Sequence, residues 1–297
     1  MSSSRLCSRL AVGAAFLSAL CAVSGCSKDA PTKKAVPTPL TELAVKKVSA
    51  DLSKPDPNAA YWSDVPAGLV KMLAQPMIAP RPETTTTESV AVQAVHDGTR
   101  VAFRLQWKDT EKSEAGRLGE FSDGLGLEFP LQEGPLPPVM MGAKGMPVHL
   151  FHWRAQYQRD QEQGKPTVET LYPNKSIDMY PLEFKEAPGG TPEQREKFSP
   201  GMAEGNPQSY PKNGVDEIIA EGFSTSAVQQ GHGSAARGEW KDGEWSLVIV
   251  RPLTIEGGST LKPGAKGNIA FAIWQGGKGE VGSRKCVTMQ WTPVSFQ

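Results

Sequence analysis

The chain has 297 residues and carries 32 basic residues against 32 acidic ones, so its formal net charge at pH 7 is zero. Nucleic-acid-binding domains need a basic patch, and nothing in this charge balance suggests one. The length is typical of one large β domain or of two small ones.

Residues 1–25 are predicted to be a lipoprotein signal peptide. Arg5 and Arg9 precede an apolar stretch from Leu10 to Val23, which is too short to cross a bilayer as a mature helix. The stretch ends in VSGC, which resembles the bacterial lipobox and implies cleavage before Cys26 and a diacylglycerol thioether on its sulfur. An ordinary secretory signal that is cleaved nearby is the alternative. The sequence therefore predicts a protein that is lipid-anchored on the periplasmic side of a bacterial membrane.

The four cysteines do not predict a disulfide. Cys7 and Cys21 leave with the signal peptide and Cys26 carries the lipid, so only Cys286 keeps a free thiol in the mature chain. The chain also has no Cys-x-x-Cys-His motif, which excludes covalent attachment of a c-type haem.

Residues 26–58 are rich in proline, lysine and aspartate, and they predict a flexible tether before a folded domain of residues 59–297. The domain begins with YWSDVPAGLVKMLAQPM, which predicts at most one short helix or an irregular strand. Two β-hairpins are then predicted, turning at Asp97-Gly98 and Asp242-Gly243. Asp-Gly between alternating apolar runs favours a tight turn.

Five further short strands are predicted in GLGLEFPL, PVHLFHWRA, DEIIAEGF, GNIAFAIW and CVTMQW. Many short strands with little helix indicate an all-β fold, an antiparallel β-sandwich or a barrel. Residues 157–214 interrupt this pattern and predict a long irregular insertion, which is functional or partly disordered in most proteins. Its aromatic and leucine side chains predict that the insertion lies over the sandwich.

Two sequence features suggest a nucleotide site and a zinc site, but the residues around them do not support either site. GKGEVG (residues 277–282) matches G-x-G-x-x-G, but the dinucleotide fingerprint needs a helix to begin inside the motif. The following SRKCVTMQW is typical of a strand, so the glycines are interpreted as a hairpin loop. The four histidines have no zinc-ligand spacing, since His149 and His152 lie in one predicted strand and face opposite sides.

Lys285 heads the apolar face of the last predicted strand. A period of two places Lys285, Val287, Met289 and Trp291 on one side of the strand and Cys286 on the other. One interpretation is that the lysine extends its amine to water at the strand end. The other is that the amine is buried, where desolvation lowers its pKa and leaves a neutral group that can ligate a metal.

Three methionines lie beside a predicted strand in PLPPVMMGAKGMPVHLFHWRA, at Met140, Met141 and Met146. Methionine usually fills gaps in a core. Its thioether is also a soft ligand that binds haem iron in some cytochromes. Both interpretations stay open from the residues themselves.

These stretches resemble a known family, the haem b-binding γ subunits of type II dimethyl-sulfoxide-reductase-like molybdoenzymes. Members belong to ethylbenzene dehydrogenase, dimethylsulfide dehydrogenase, selenate reductase and chlorate reductase. The resemblance is carried in order, over roughly residues 85–290, by VHDGTRVAFRLQWKD, FSDGLGLEFP, MMGAKGMPVHLFHWRA, WSLVIVRPL and IAFAIWQGGKGEVGSRKCVT. It implies a β-sandwich with one haem b in a cleft and a methionine and a lysine on the iron.

The resemblance also implies which residues would hold the cofactor. Lys285 and Met141 are the implied axial ligands, with Met140 as the close alternative and Met146 as a distant one. His152 is a further candidate ligand. An apolar slot between the sheets would take the haem, with six candidate lining residues: Phe103, Leu105, Phe151, Trp153, Phe271 and Ile273. Two arginines are candidates to pair with a haem propionate: Arg251 and Arg284.

The function implied by the resemblance is electron transfer without catalysis, because two protein ligands leave no open position on the iron. Single electrons would pass between the iron–sulfur subunit of a molybdopterin enzyme and a cytochrome or quinone-linked carrier. Family subunits are soluble periplasmic proteins, so the predicted lipid on Cys26 sets this chain apart.

Two other functions are compatible with the same elements. One is a ligand- or carbohydrate-binding β-sandwich lipoprotein without haem, and the other is a structural lipoprotein without any ligand. Carbohydrate sites use exposed aromatic side chains, and the sequence offers five candidates: Trp62, Trp107, Trp153, Trp240 and Trp245.

Overall fold

A computed structural model describes residues 37–114, 116–174, 200–206 and 214–297. The predicted signal peptide and Cys26 lie outside these residues, as does most of the second half of the predicted insertion. In the described ranges, no helix has both the length and the apolar character that crossing a membrane requires.

The described residues form fifteen strands and a few short helices. The strands are β1 (Thr38–Pro39), β2 (Leu43–Lys47), β3 (Gly68–Lys71), β4 (Leu73–Ala74), β5 (Ser89–His96), β6 (Arg100–Lys108), β7 (Gly124–Pro130), β8 (Val148–Arg154), β9 (Val215–Ala220), β10 (Ala227–Val228), β11 (Ala235–Lys241), β12 (Glu244–Pro252), β13 (Lys266–Trp274), β14 (Cys286–Val287) and β15 (Thr292–Phe296). The helices are α1 (Ala155–Gln163), α2 (Val168–Leu171) and α3 (Pro200–Ala203), with 3₁₀ turns at Ala60–Asp64 and Gly276–Lys278.

The strands follow one hydrogen-bonded path, β10-β9-β8-β7-β13-β15-β2-β5-β6-β12-β11. Strand β13 belongs to two layers, because Lys266–Ile269 pair with β15 whereas Ala270–Trp274 pair with β7. We call the strands from β15 to β11 the β6 layer, and those from β10 to β7, with β14 and β4, the β8 layer. The all-β class is confirmed, but the sheet is mixed, since β1–β3, β15–β2 and β2–β5 pair in parallel.

Both predicted hairpins are confirmed. Strands β5 and β6 pair antiparallel across Asp97-Gly98, where the Asp97 carboxylate accepts the backbone N–H groups of Thr99 and Arg100 at 2.8 and 2.7 Å. Strands β11 and β12 pair across Asp242-Gly243, whose φ angles of 53° and 79° are those of a tight turn that matches the strand twist.

The core lies between the two layers and is rich in aromatic rings. Trp107 of β6 packs against Trp153 of β8 with ring centroids 6.2 Å apart, and Trp245 stacks on Trp107 at 6.1 Å. These three rings are almost fully buried. Because each strand buries alternate residues, the opposite face of the β8 layer is left for other contacts.

The predicted tether of residues 26–58 is wrong from residue 38 onward. Strand β2 lies between β15 and β5, and its Leu43 and Val45 are 2% and 0% exposed. Leu52 is also fully buried, in a second cluster with Trp62 and Val65. The alternation of apolar residues in LAVKK covers only one short strand, too little to outweigh the polar composition around it.

Two other boundaries also differ from the predictions. The insertion predicted at 157–214 does not begin irregularly, because α1 continues directly from β8 and covers residues 155–163. The last predicted strand, CVTMQW, is reduced to Cys286 and Val287. A separate strand, β15, begins at Thr292, and the indole of Trp291 between them donates a hydrogen bond to the carbonyl of Pro137 at 2.8 Å. GKGEVG is confirmed as a loop, formed by a 3₁₀ turn at Gly276–Lys278.

A pair of buried carboxyl groups joins the two layers at one end. Asp123 accepts hydrogen bonds from the indole of Trp245 and the backbone N–H of Gly276 at 3.1 and 2.8 Å. Burial and the neighbouring Asp123 raise the pKa of Asp109 to about 7, and no donor in the described ranges reaches its Oδ2. The folded protein therefore retains a proton here that the unfolded chain releases near pH 4.

Asp109→Asn is expected to stabilise the protein at pH 8 and to have little effect at pH 4. The raised pKa of the Asp109 carboxyl stabilises the folded protein most when the pH is below the pKa of the unfolded chain. As the pH rises from about 4 to about 7, the free energy of unfolding falls by up to roughly 4 kcal/mol. Urea unfolding across this pH range measures the difference. The exposed Asp64→Asn variant is the control. A constant difference between Asp109→Asn and wild type at all pH values would contradict the raised pKa of Asp109.

Candidate functional site

A cavity of about 1220 Å³ lies on the outer face of the β8 layer. Leu150, His152 and Arg154 of β8 line it, whereas the alternate residues Phe151 and Trp153 point into the core. The same alternation on β7 directs Gly126 and Glu128 towards the cavity. The cavity is therefore separated from the sandwich core by the thickness of one sheet.

The floor of the cavity is a row of residues in register across five strands. Val287, Ala272, Gly126, His152 and Asp216 are successive hydrogen-bonded neighbours on β14, β13, β7, β8 and β9, and all line the cavity. Ala272 carries a methyl group and Gly126 carries no side chain. The indole ring of Trp274 lies over Gly126, with its nearest atoms 3.5 and 3.6 Å from where a Cβ would stand, and this ring also lines the cavity.

The residues predicted to line a slot between the sheets do not line this cavity, with one exception. Of the six candidate lining residues, only Phe271 lines the cavity, and the other five are core residues with no exposed surface. The period of two gives the two faces of each strand. It does not say which apolar face meets the second layer, since both faces of β8 carry large side chains.

Lys285 lies at the cavity wall, immediately before β14. The backbone N–H of Gln75 donates to its carbonyl at 3.0 Å, and its Nζ lies 4.8 Å from the centroid of the Trp274 ring. Desolvation lowers the pKa of the Lys285 amine, and the carboxyl group of Glu128 partly counteracts this. The lysine is thus in the wall of a cavity and does not extend along the protein surface.

The predicted faces are confirmed for Lys285, Cys286 and Val287, but Met289 and Trp291, predicted on the face of Lys285, do not line the cavity. Val287 lines the cavity with Lys285, whereas Cys286 points into the core and its sulfur accepts the backbone N–H of Thr87 at 3.4 Å. Burial raises the pKa of the Cys286 thiol. The cysteine therefore faces away from the cavity.

Met140 and Met141 line the same cavity, and Met146 does not. Met140 and Met141 have φ angles of 77° and 78°, and the adjacent Gly142 has 67°. Two successive non-glycine residues in this region cost about 1–3 kcal/mol each, and such strain is found at ligand-binding sites. The carbonyl of Met141 accepts the backbone N–H of Gly222 at 2.6 Å, which connects the strained loop to the turn that follows β9.

Glu128 holds the methionine loop from the floor of the cavity. Its Oε1 accepts the backbone N–H of Met141 at 3.1 Å, and the residue is 8% exposed. Burial raises the pKa of Glu128 to about 7, although the Lys285 amine opposes this shift. The sequence analysis missed this residue, whose signal was a lone carboxylate inside the apolar strand GLGLEFP.

His152 also lines the cavity, with its ring centroid 4.7 Å from that of Trp274. Desolvation, together with the positive charges of Arg154 and Lys285, lowers its pKa well below the ordinary value, so the imidazole is neutral. His149 faces the opposite side of β8, as predicted, and lies in the core, where its Nδ1 pairs with the hydroxyl of Ser259 at 3.1 Å. In the described ranges, no group of three or more His, Cys, Asp or Glu side chains could hold a metal ion by itself.

The two arginines predicted to pair with a propionate lie elsewhere. Arg251 is fully buried in the core, between the rings of Phe129 and Phe151. Arg284 donates to the carbonyl of Gly279 at 2.9 Å and does not line the cavity. Arg154, which was not predicted from the sequence to pair with a propionate, does line the cavity.

The five tryptophans proposed for carbohydrate stacking are not exposed. Trp62, Trp107, Trp153 and Trp245 are at most 3% exposed. Trp240 is half-buried, with its indole N–H donating to the carbonyl of Asp109 at 2.9 Å. These rings therefore do not form a surface platform for a sugar.

A sequence model described as ethylbenzene dehydrogenase matches residues 59–286, which include Glu128, Met140, Met141 and Lys285 of the cavity wall. The chain belongs to this family. The predicted resemblance is therefore confirmed at the level of the family.

Three named relatives support membership of the ethylbenzene dehydrogenase family. Chlorate reductase subunit gamma of Ideonella dechloratans is 26% identical, over 97% of this chain and 94% of the relative. Dimethylsulfide dehydrogenase subunit gamma of Rhodovulum sulfidophilum is 23% identical, over 80% and 73%. A provisionally named respiratory nitrate reductase heme subunit of Haloferax mediterranei is 25% identical, over 87% and 74%.

This chain is similar to one solved structure of a family 9 carbohydrate-binding module, from Caldicellulosiruptor kristjanssonii in complex with glucose. The TM-score is 0.42 and the identity 6%, over 86% of this chain and 95% of the module. A likeness at this level carries no information about the ligand of the cavity.

Proposed function

We propose that the protein is an electron-transfer subunit that holds one haem b in the cavity on the β8 layer, with Lys285 and Met141 as axial ligands. The observation that carries the proposal is that a desolvated amine and two strained methionines line one cavity. The relative from Haloferax mediterranei is named a heme subunit, and two other relatives are named gamma subunits of reductase or dehydrogenase enzymes.

The residues of the cavity fit this cofactor in size and donor set. The volume of about 1220 Å³ is above the roughly 300–1,000 Å³ of ordinary small-molecule sites, so it leaves room for a ligand as large as haem. Gly126 and Ala272 make room for the ring of Trp274, which lines the cavity. The amine and the thioether are both neutral ligands, and thioether ligation raises the potential of haem iron.

Each side chain has a defined task in this proposal. Lys285 offers the lone pair of its amine, and the cavity wall keeps water away from it. Glu128 fixes the loop that presents Met141. When bound, haem b supplies a couple that exchanges one electron at a time. With Lys285 and Met141 both holding the iron, no position on it would be left for a substrate, and we propose that the chain is not itself an enzyme.

The proposed partners are the molybdopterin catalytic subunit and the iron–sulfur subunit of an oxidoreductase complex, with a cytochrome or quinone-linked carrier on the other side. The names of the gamma-subunit relatives support this assembly. We further propose attachment to the periplasmic side of a membrane through lipid on Cys26, on the basis of the VSGC motif. Loss of radiolabelled palmitate incorporation in Cys26→Ser would test the anchor.

The cofactor is tested by expressing the full chain with a supply of haem precursor and recording its visible spectrum. A reducible Soret band with sharp α and β bands, at one haem per chain, is the expected result. A colourless chain that also fails to take up added haem would contradict the proposal and favour a ligand-binding or structural lipoprotein.

The choice between the methionines is tested by single substitutions. Met141→Ala is expected to convert the haem from low-spin to high-spin and to lower its reduction potential, because the thioether ligand is lost. Met146→Ala, outside the cavity wall, is the control and should leave both properties unchanged. Loss of low-spin haem in Met140→Ala but not in Met141→Ala would transfer the role of ligand to Met140.

A further inference from the structure

Arg154 is a cation in the cavity wall, well separated from the proposed iron ligand Lys285. It is the last residue of β8 and lies in register with Gly124, which is in turn in register with Trp274 of β13. Two strand spacings, about 9.5 Å, therefore separate its backbone from that of Trp274, the ring that contacts Lys285. The side chain points to the same face as His152 and lines the cavity.

The guanidinium of Arg154 has no carboxylate within salt-bridge distance in the part of the chain that the structure describes. The guanidinium packs on the ring of Tyr157, with Cζ of Arg154 lying 5.1 Å from the ring centroid. The hydroxyl of Tyr157 donates to Asp216 at 2.8 Å, so the nearby carboxylate is engaged by the tyrosine. Arg159, by contrast, pairs with Asp160 at 2.6 Å.

An arginine held in this way is suited to bind an anionic ligand. The Tyr157 ring lies against the guanidinium, whose N–H groups can form a two-point hydrogen bond to a carboxylate. Because Arg154 forms no ion pair with a carboxylate in the described ranges, an anion inside the cavity could accept charge-assisted hydrogen bonds from it. Exposed Lys165, on the same cavity wall, extends the positive charge outward.

We propose that Arg154 binds an ionised carboxylate of the cofactor, a haem propionate, and so determines the orientation of the macrocycle in the cavity. This inference rests on the proposed function, because it assumes that haem b is the ligand. Arg154 takes the role that the sequence had assigned to Arg251 or Arg284, because Arg154 lines the cavity and those two arginines do not.

The experiment compares haem b with its dimethyl ester, in which both propionates are neutral. The full chain in detergent, as wild type, Arg154→Gln and Arg237→Gln, is freed of haem and titrated with each ligand while the Soret band is followed. Arg237 is exposed on β11 and is the matched control. Arg154→Gln is expected to weaken haem b binding about 10- to 100-fold and to leave ester binding unchanged.

Equal weakening for both ligands would overturn the inference, since it would show a general effect on the cavity and not recognition of a carboxylate. Unchanged binding of haem b by Arg154→Gln would also overturn it. A wild-type chain that binds neither ligand would overturn the proposed function first, and the inference with it. A circular dichroism spectrum identical to that of wild type would establish that Arg154→Gln is folded.

Discussion

Replacing Lys285 by alanine is expected to abolish six-coordinate low-spin haem and to weaken haem binding by more than 100-fold. Changes in outer-shell partners of metal ligands cost about 10- to 100-fold in affinity, and loss of a ligand itself should exceed that range. The variant also removes a desolvated amine, so the folded protein without haem should not be destabilised. The measurements are the visible spectrum, a haem titration and urea unfolding of the haem-free chain.

Lys278→Ala is the matched control for Lys285→Ala, because Lys278 is an exposed lysine of the adjacent loop. It should bind haem as wild type does. Retention of the low-spin spectrum in Lys285→Ala would show that another group occupies the sixth position. Loss of the low-spin spectrum in His152→Ala alone would identify that group as the histidine.

Glu128→Ala is expected to release the methionine loop and to lower haem affinity about 10- to 100-fold, with partial conversion to high-spin haem. The carboxylate accepts the N–H of Met141, and no backbone strain of this kind persists without surrounding contacts that hold it. Removal of the acceptor also leaves the Met141 N–H unsatisfied. The haem titration and the high-spin fraction in the visible spectrum measure the effect.

Glu128→Gln separates the positioning role from the charge. The amide oxygen of glutamine can still accept the Met141 N–H, so this variant should keep low-spin haem and an affinity close to that of wild type. If Glu128→Gln behaved as Glu128→Ala does, the negative charge facing Lys285 would be the decisive property. If both variants behaved as wild type, the methionine loop would not depend on Glu128.

The elements that the sequence predicts well are those fixed by local chemistry. Asp97-Gly98 and Asp242-Gly243 give hairpins because the turn conformation is decided by two residues and the strand pattern around them. The opposite orientation of Lys285 and Cys286 follows from the period of two. Sequence reasoning also brought Lys285 and the two adjacent methionines to one cavity through the family resemblance.

The elements that the sequence does not predict depend on partners that are distant in the chain. Strand β2 is too short to be recognised, and its pairing with β15 and β5 is set by the rest of the β6 layer. The cavity lies outside the sandwich because loops and helix α1 cover the second face of β8, which no periodicity records. Glu128 and Arg154 acquire their roles only when β7 and β8 place them beside Met141 and Tyr157.

The most direct test of the central claim, that the amine of Lys285 binds the haem iron, is electron–nuclear double resonance of the ferric protein. One sample carries ¹⁵N in the lysine side chains and a second carries ¹⁵N in histidine. We predict a strongly coupled axial ¹⁵N in the lysine-labelled sample and none in the histidine-labelled sample. An axial ¹⁵N that appears only with labelled histidine would contradict the assignment of Lys285.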